Sequence, residues 1–416
     1  MAVEMGQTVV ERFQRYVRYD TQSAQDSENF PSTEKQKDLG RLLATELKEL
    51  GLKDASIDQY GYVTATLPAN TKRPVPTIGL IAHMDTSPEV SGANVKPLLH
   101  KDYCGQDIVL PGDSTQILRL SENPELKEQL GNDIITSDGT TLLGADDKSG
   151  VAEIMDAIQY FTTHPEVERG TIKVAFTPDE EVGTGVDHFD VRKFGAQFAY
   201  TMDGGALAEI ENETFCADFV NVTFKGVSFH PGHAKGKLVN SVKLASEFLE
   251  KFPKNSDSPE TTENTEGYVH PNAIQGRVEE TLVKMIIRDF ELDGLKKREE
   301  SLRALAEGTV RNHPRSGFGF EVKESYRNMK FVLDKYPEAV DKAMKAVRMS
   351  GLQPKLHSIR GGTDGARLCY MGLPTPNLGT GMRNLHSRLE WISAQDMQKA
   401  VEVILNLVKV WAKENG

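Results

Sequence analysis

The sequence predicts an α/β architecture: a central, mostly parallel sheet flanked by helices, interrupted by an inserted ferredoxin-like α+β domain. Three observations predict it. Short apolar runs alternate with stretches of helical periodicity in the first half of the chain, and helical periodicity returns near the C-terminus. Between these parts lies a segment whose elements follow the order β-α-β-β-α-β. The length of 416 residues accommodates two or three domains, each with its own core.

In chain order, Val9, Val10, Phe13, Tyr16 and Val17 fall at helical spacing. A second helix is expected after Pro31-Ser32-Thr33-Glu34, with Ser32 or Thr33 as its cap and Leu39, Leu42, Leu43, Leu47 and Leu50 along it. Tyr62–Leu67 alternates as a strand does, and Ile78-Gly79-Leu80-Ile81-Ala82 is a short apolar run typical of a buried one. Residues 86–140 are polar and rich in Gly and Pro, and predict an irregular excursion. From Lys148 a helix carries Val151, Ile154, Met155, Ile158 and Phe161; strands follow at Thr171–Thr177 and Phe198–Met202.

The second pattern begins with a strand at Phe219–Lys225 and a helix at Ser241–Phe252. Two strands at Tyr268–Val278 and Thr281–Phe290, a charged helix from Glu291, and a strand at Phe318–Tyr326 complete it. These elements place an inserted domain at residues 216–327 and leave 1–215 and 328–416 to the first domain. A helix near 337–349, a glycine-rich turn at Arg360-Gly361-Gly362 and a last helix at Ala394–Trp411 close the chain.

Composition excludes several classes. A net charge of −12 argues against nucleic acid or an anionic membrane as partner. Met1–Asp20 contains Glu4, Glu11 and Asp20 with no continuous apolar core, so no signal peptide is expected, and no segment is apolar enough to span a bilayer. Cys104, Cys216 and Cys369 are widely separated, which suits a reducing compartment and a cytoplasmic location. Neither a dinucleotide fingerprint nor a Walker-type phosphate loop is present.

The chemistry-bearing residues stand at the ends of apolar runs. His83 ends the run 78–82, Glu180 and Glu181 follow 171–177, Asp203 ends 198–202, and Asp146-Asp147 precedes the helix at Lys148; His386 lies far downstream. Ligands of α/β sheets gather outside the carboxyl ends of strands, so these residues can converge on one cleft. A His/carboxylate set without clustered cysteines suits zinc, cobalt or manganese, and the two acidic pairs hint at more than one metal. Asp85, two residues after His83, can accept a hydrogen bond from the far ring nitrogen. His100, His164, His188, His270, His313 and His357 read as ordinary structural or surface residues. The set points to a hydrolase.

His83-Met84-Asp85-Thr86-Ser87-Pro88, Thr141-Leu142-Leu143-Gly144-Ala145-Asp146-Asp147-Lys148 and Ala175-Phe176-Thr177-Pro178-Asp179-Glu180-Glu181-Val182-Gly183 resemble the signature blocks of the two-zinc peptidases related to carboxypeptidase G and aminoacylase. Thr66–Asn70, Phe229-His230-Pro231-Gly232, Ile287-Arg288-Asp289-Phe290 and Ile359–Ala366 extend the resemblance over essentially the whole chain, nearest to the family's tripeptide aminopeptidases.

The resemblance implies two zinc ions, with cobalt or manganese as substitutes. Asp146 would bridge them, His83 and Asp203 would complete one site, and Glu181 and His386 the other. Glu180 becomes the general base and Asp85 the partner that orients His83. The family also carries a cis peptide at the position of Asp146-Asp147. His230 is implied as a donor to the developing oxyanion; in several relatives it comes from a partner subunit, which leaves a homodimer open and makes 216–327 a lid or dimerisation domain. Arg288 and Arg360 are read as anchors for a substrate carboxylate, which a guanidinium binds bidentately, although either alone reads as readily as a structural salt bridge. The expected substrate is a small peptide, cut to release the N-terminal residue of a tripeptide. A dipeptidase, carboxypeptidase or N-acyl-amino-acid deacylase would share the metal chemistry. A non-catalytic metal-binding protein is the rival from another class, and the intact Glu180 argues against it.

Overall fold

The computed structural model describes residues 5–413; Glu4, one of the charges weighed against a leader, lies outside them. Two compact units are present. The first comprises the chain up to Asn212, Phe331–His357 and Thr363 onward; the second comprises Glu213–Lys330 with Ser358–Gly362.

The first unit is built on an eight-stranded sheet in the order Ser56–Ile57, Val63–Leu67, Ile172–Thr177, Ile78–His83, Phe198–Gly204, Asn377–Gly379, Glu209–Thr214, Lys355–Ile359. Its four middle strands, from Ile172–Thr177 to Asn377–Gly379, run parallel. Antiparallel pairing flanks them, with Val63–Leu67 on one side and Glu209–Thr214 on the other. All six residues of Ile78–His83 are buried, as expected of a central parallel strand covered on both faces.

Helix Ala145–Thr163 packs on strands Ile78–His83 and Phe198–Gly204 and on helices Met5–Tyr16 and Ala394–Lys413. Its first turn is irregular. Asp146 and Asp147 depart from helical φ/ψ, the peptide between them is cis, and regular helix begins at Lys148. Gly150 is what lets this helix approach the sheet so closely: a methyl group there would collide with the Met202 carbonyl and the Asp147 carboxylate.

Two sequence expectations fail in this unit. Residues 86–140 are not merely irregular: Ile134–Thr136 pairs with both Trp391–Ser393 and Leu98–His100, and Ile108–Val109 pairs with Ile117–Leu118. Tyr103, Ile108, Leu110, Leu118, Leu126 and Ile134 form their own apolar core around Trp391. Nor does Ser32 or Thr33 cap the second helix. That helix is Gln36–Glu49 with Lys35 at its N-cap and no side-chain cap. The Ser32 hydroxyl donates instead to Asp179, and the Thr33 hydroxyl donates to the Gln22 carbonyl at 2.8 Å.

The second unit carries a four-stranded antiparallel sheet in the order Tyr268–Gly276, Glu280–Asp289, Cys216–Lys225, Gly317–Tyr326. Helices Ser241–Glu250 and Leu292–Arg311 pack against it. By sequence order the strands lie second-third-first-fourth, the arrangement that a β-α-β-β-α-β chain adopts in a ferredoxin-like unit. The Asn240 side chain caps the first helix by accepting from the Val242 amide at 2.9 Å. Ser358–Gly362, outside the 216–327 segment drawn from the sequence, packs with this unit. Among the described residues no helix is long and apolar enough to cross a membrane.

Gly150→Ala should lower stability by about 1–3 kcal/mol, the usual cost of overpacking a tight interior contact. The midpoint of urea unfolding measures it; an unchanged midpoint would show that the helix and the Met202 strand tolerate separation.

Candidate metal centre

Parallel strand ends bring the candidate residues together within the first unit. His83 is the last residue of Ile78–His83, and Asp203 lies one residue before the end of Phe198–Gly204. Glu180 and Glu181 form a 3-10 turn just beyond Ile172–Thr177. Asp146 occupies the irregular start of its helix, and His386, at φ 57°, comes in from the loop before Trp391–Ser393.

The Asp146 carboxylate is shared. Its Oδ1 lies 3.0 Å from His83 Nε2 and its Oδ2 lies 3.2 Å from His386 Nε2. Asp203 Oδ1 is 3.5 Å from His83 Nε2, and Glu181 Oε2 is 2.9 Å from His386 Nε2. Two three-residue groups result, His83–Asp146–Asp203 and Asp146–Glu181–His386, with the ligand atoms of each within 4.8 Å of one another. Both are His-plus-two-carboxylate donor sets of the kind that divalent zinc, cobalt or manganese accept. Glu181 Oε1 is buried and has no hydrogen-bond partner, an arrangement that costs free energy unless a cation faces it. The residues fit two divalent ions.

Charge crowding fits the same reading. Burial alone would lower His83, but hydrogen bonds to Asp146, Asp203 and Asp85 raise it well above the ordinary imidazole value. Burial opposes the charge on His386 as well, and its contacts with Asp146 and Glu181 nevertheless carry it up to about 11. Burial, then the Asp146 charge, pushes Glu181 up to about 8. Asp146 goes the other way: burial would raise it, and the two histidines hold it low. Protons and divalent cations compete for these lone pairs.

Asp85 and Glu180 belong to neither ligand group. Asp85 is fully buried; its Oδ1 lies 3.3 Å from His83 Nδ1 and accepts the Glu180 amide at 3.1 Å, while Oδ2 accepts the Glu181 amide at 3.2 Å. His83 Nδ1 also lies 3.2 Å from the Asp85 carbonyl oxygen, so this one residue holds both the ring of His83 and the turn that carries the paired glutamates. Burial, then the Asp203 charge, raises the Glu180 carboxyl well above its ordinary value. Asp147 is turned away from the ligand groups: its oxygens accept the His83 amide and the Gly150 amide, each at 3.2 Å.

Three supports have no signal in the sequence reading. Glu390 accepts the Leu143, Gly144 and Asp146 amides. Asp179 anchors the glutamate turn to Ser32 and to Gln36, whose amide donates at 2.7 Å. Asp364 accepts the Thr177 hydroxyl at 2.7 Å. Asp179 and Asp364 lie inside motif blocks, yet only the fold reveals their partners.

The second unit holds the other candidates. Arg288 and Arg360 flank the Tyr268 ring, with guanidinium carbons 5.9 and 5.5 Å from its centroid. Arg288 Nη1 donates to the Arg360 carbonyl at 2.9 Å, and its Nε is buried without a partner. Arg360 donates to Thr262 Oγ1 at 2.8 Å and to the Asn264 carbonyl at 3.1 Å. These bonds go to neutral acceptors, not to the carboxylate of a structural ion pair. His230 is exposed, and its Nδ1 accepts the Gly232 amide at 3.2 Å.

Comparison with known proteins meets this geometry from outside. The model for "Peptidase family M20/M25/M40" matches residues 138–410. Peptidase T of Desulfitobacterium hafniense (strain Y51) is 53% identical over 409 residues, covering 98% of this chain and 99% of its own length. Two solved structures share the fold: aminopeptidase PepT from Bacillus cereus, with TM-score 0.75 and 24% identity over 98% of this chain and 99% of that one, and a tripeptidase from Staphylococcus aureus, with TM-score 0.77 and 21% identity over the same shares. The chain belongs to peptidase family M20/M25/M40 and is a hydrolase acting on peptide bonds.

Proposed function

We propose that the protein is a zinc-dependent tripeptide aminopeptidase, which releases the N-terminal residue from tripeptides. The observation that carries the metal chemistry is the Asp146 carboxylate, which offers one oxygen to each histidine-bearing group. The peptide specificity is supported by full-length similarity to a peptidase T at 53% identity.

In this reading His83, Asp146 and Asp203 hold one zinc ion, and Asp146, Glu181 and His386 the other. Such a pair lowers the pKa of water and polarises a peptide carbonyl. Glu180 does the proton work: it takes a proton from the attacking water and returns it to the leaving amine. Its place beside Glu181 but outside both ligand groups suits that task. Asp85 keeps His83 oriented and holds the amides of both glutamates, so the base and a ligand share one support. The family resemblance gives His230, from its own chain or a partner's, as the donor to the developing oxyanion. Arg288 and Arg360 bind the carboxylate of the peptide, a role for which their neutral hydrogen-bond partners leave their charge available.

Three measurements test this. A free tripeptide should be turned over with release of its first residue, well ahead of the matching dipeptide and of the N-acetylated tripeptide; equal or faster cleavage of the blocked peptide would remove the aminopeptidase assignment. Glu180→Gln should keep its metal by elemental analysis and lose about 10²–10⁴-fold in kcat, the usual contribution of a positioned acid–base group. Activity near wild type with metal bound would mean another residue is the base. Arg360→Ala should raise KM roughly tenfold or more for a tripeptide with a free C-terminal carboxylate, because a charge-assisted hydrogen bond contributes about 1.5–3 kcal/mol. The same variant should leave the KM of the C-terminal amide unchanged; a shift equal for both substrates would deny the carboxylate contact.

A further inference from the structure

Glu390 has no place in the proton transfer or in either ligand group, yet it is 1% exposed and close to the centre. Its Oε2 accepts the Leu143 and Gly144 amides, both at 2.7 Å, and its Oε1 accepts the Asp146 amide at 3.0 Å. Three amide donors on one buried carboxylate fix the turn in which Gly144, at φ 82°, feeds into Asp146. Such charge-assisted bonds are the short, strong ones.

Glu390 also belongs to the loop that carries His386. Arg383 and Trp391 close that loop with reciprocal amide-to-carbonyl bonds of 3.0 and 3.1 Å. Inside it the Ser387 hydroxyl donates to the Asn384 carbonyl at 2.7 Å and accepts the Leu389 amide at 3.2 Å. The loop is thus a closed piece that presents His386 at one point and grips the Asp146 backbone at another.

We propose that Glu390 is a positioning residue for the Asp146–Glu181–His386 metal site, which locks the shared ligand Asp146 to the loop of His386 so that the two move as one. This rests on the two-metal reading above. The other site depends less on Glu390, because His83 and Asp203 are placed by strands that Glu390 does not touch. Loss of the carboxylate should therefore weaken one metal site more than the other. A residue that merely stabilised the fold would not split the two.

The test is equilibrium dialysis against buffered zinc, with metal counted by elemental analysis and folding followed by circular dichroism and melting. Glu390→Gln keeps the shape and turns an amide NH2 toward backbone donors. Asp396→Asn serves as control: Asp396 accepts the Gln129 amide at 2.9 Å in the same unit and belongs to neither ligand group. Wild type and the control should each bind two zinc ions. Glu390→Gln should fold, keep one, and release the other with an affinity about 10–100-fold weaker, the usual effect of losing a partner that orients a ligand. If Glu390→Gln does not fold, Glu390→Asp, whose shorter arm cannot reach all three amides, takes its place with the same expectation. A folded Glu390 variant that binds two ions with wild-type affinity overturns the proposal; so does an equal loss in Asp396→Asn, or the failure of both Glu390 variants to fold. A wild-type chain that binds one ion overturns the two-metal reading itself, an outcome distinct from a failure at Glu390, which presupposes a two-ion wild type.

Discussion

Crowding of like charge in a buried space is the constraint on which the first unit depends. Asp85, Asp146, Asp147, Glu180, Glu181 and Asp203 lie at one end of the parallel strands with only two imidazoles among them. Carboxylates cannot be held this close and this dry without compensation, since each charge loses hydration and repels its neighbours. Two kinds of compensation divide the group. Of these, Asp146, Glu181 and Asp203 face an imidazole Nε2, whereas Asp147 and Asp85 absorb backbone amides, Asp85 also lying beside His83 Nδ1. The first kind remains open to a cation; the second is satisfied by the chain itself.

The backbone around the centre is arranged to supply those amides. Asp85 collects the Glu180 and Glu181 amides, Asp147 those of His83 and Gly150, and Glu390 those of Leu143, Gly144 and Asp146. Each is a loop or element end where the peptide groups have no strand or helix partner, so a buried carboxylate there solves two problems at once. The segments that carry the candidate ligand groups are held by acids that belong to neither group. This arrangement fixes His83, Asp146 and the glutamate turn through hydrogen bonds of the chain itself.

The parts of this structure visible in the sequence are those governed by local periodicity and by position at element ends. Ile78-Gly79-Leu80-Ile81-Ala82 reads as a buried strand from five consecutive residues, and the ferredoxin-like order follows from elements that are each locally patterned. Residues 86–140 hide their core because its apolar members are irregularly spaced and close on Trp391, far away in the chain. Ser32 looks like a helix cap by every local rule, and it loses that role because Asp179, 147 positions on, takes its hydroxyl. Glu390 is one acid among many until three amides from the Asp146 turn are seen to meet it. What local pattern cannot carry is the partner from a distant segment, and the supports of this centre are mostly of that type.

The sharpest separation of roles falls between two chemically near-identical neighbours, Glu180 and Glu181. They occupy a 3-10 turn, in which three residues complete a revolution, so consecutive side chains diverge by about 120°. Asp85 grips both amides, one with each oxygen, and so prevents the turn from rotating to exchange the two positions. With the backbone pinned, Glu181 is directed to His386 and the shared Asp146, while Glu180 stays outside both groups. In the proposed reading, a longer or looser turn would let both acids reach the same ligand group and leave no carboxyl outside it. The division between the proposed ligand and the proposed base thus rests on the geometry of three backbone residues and one buried aspartate, not on any difference between the two side chains.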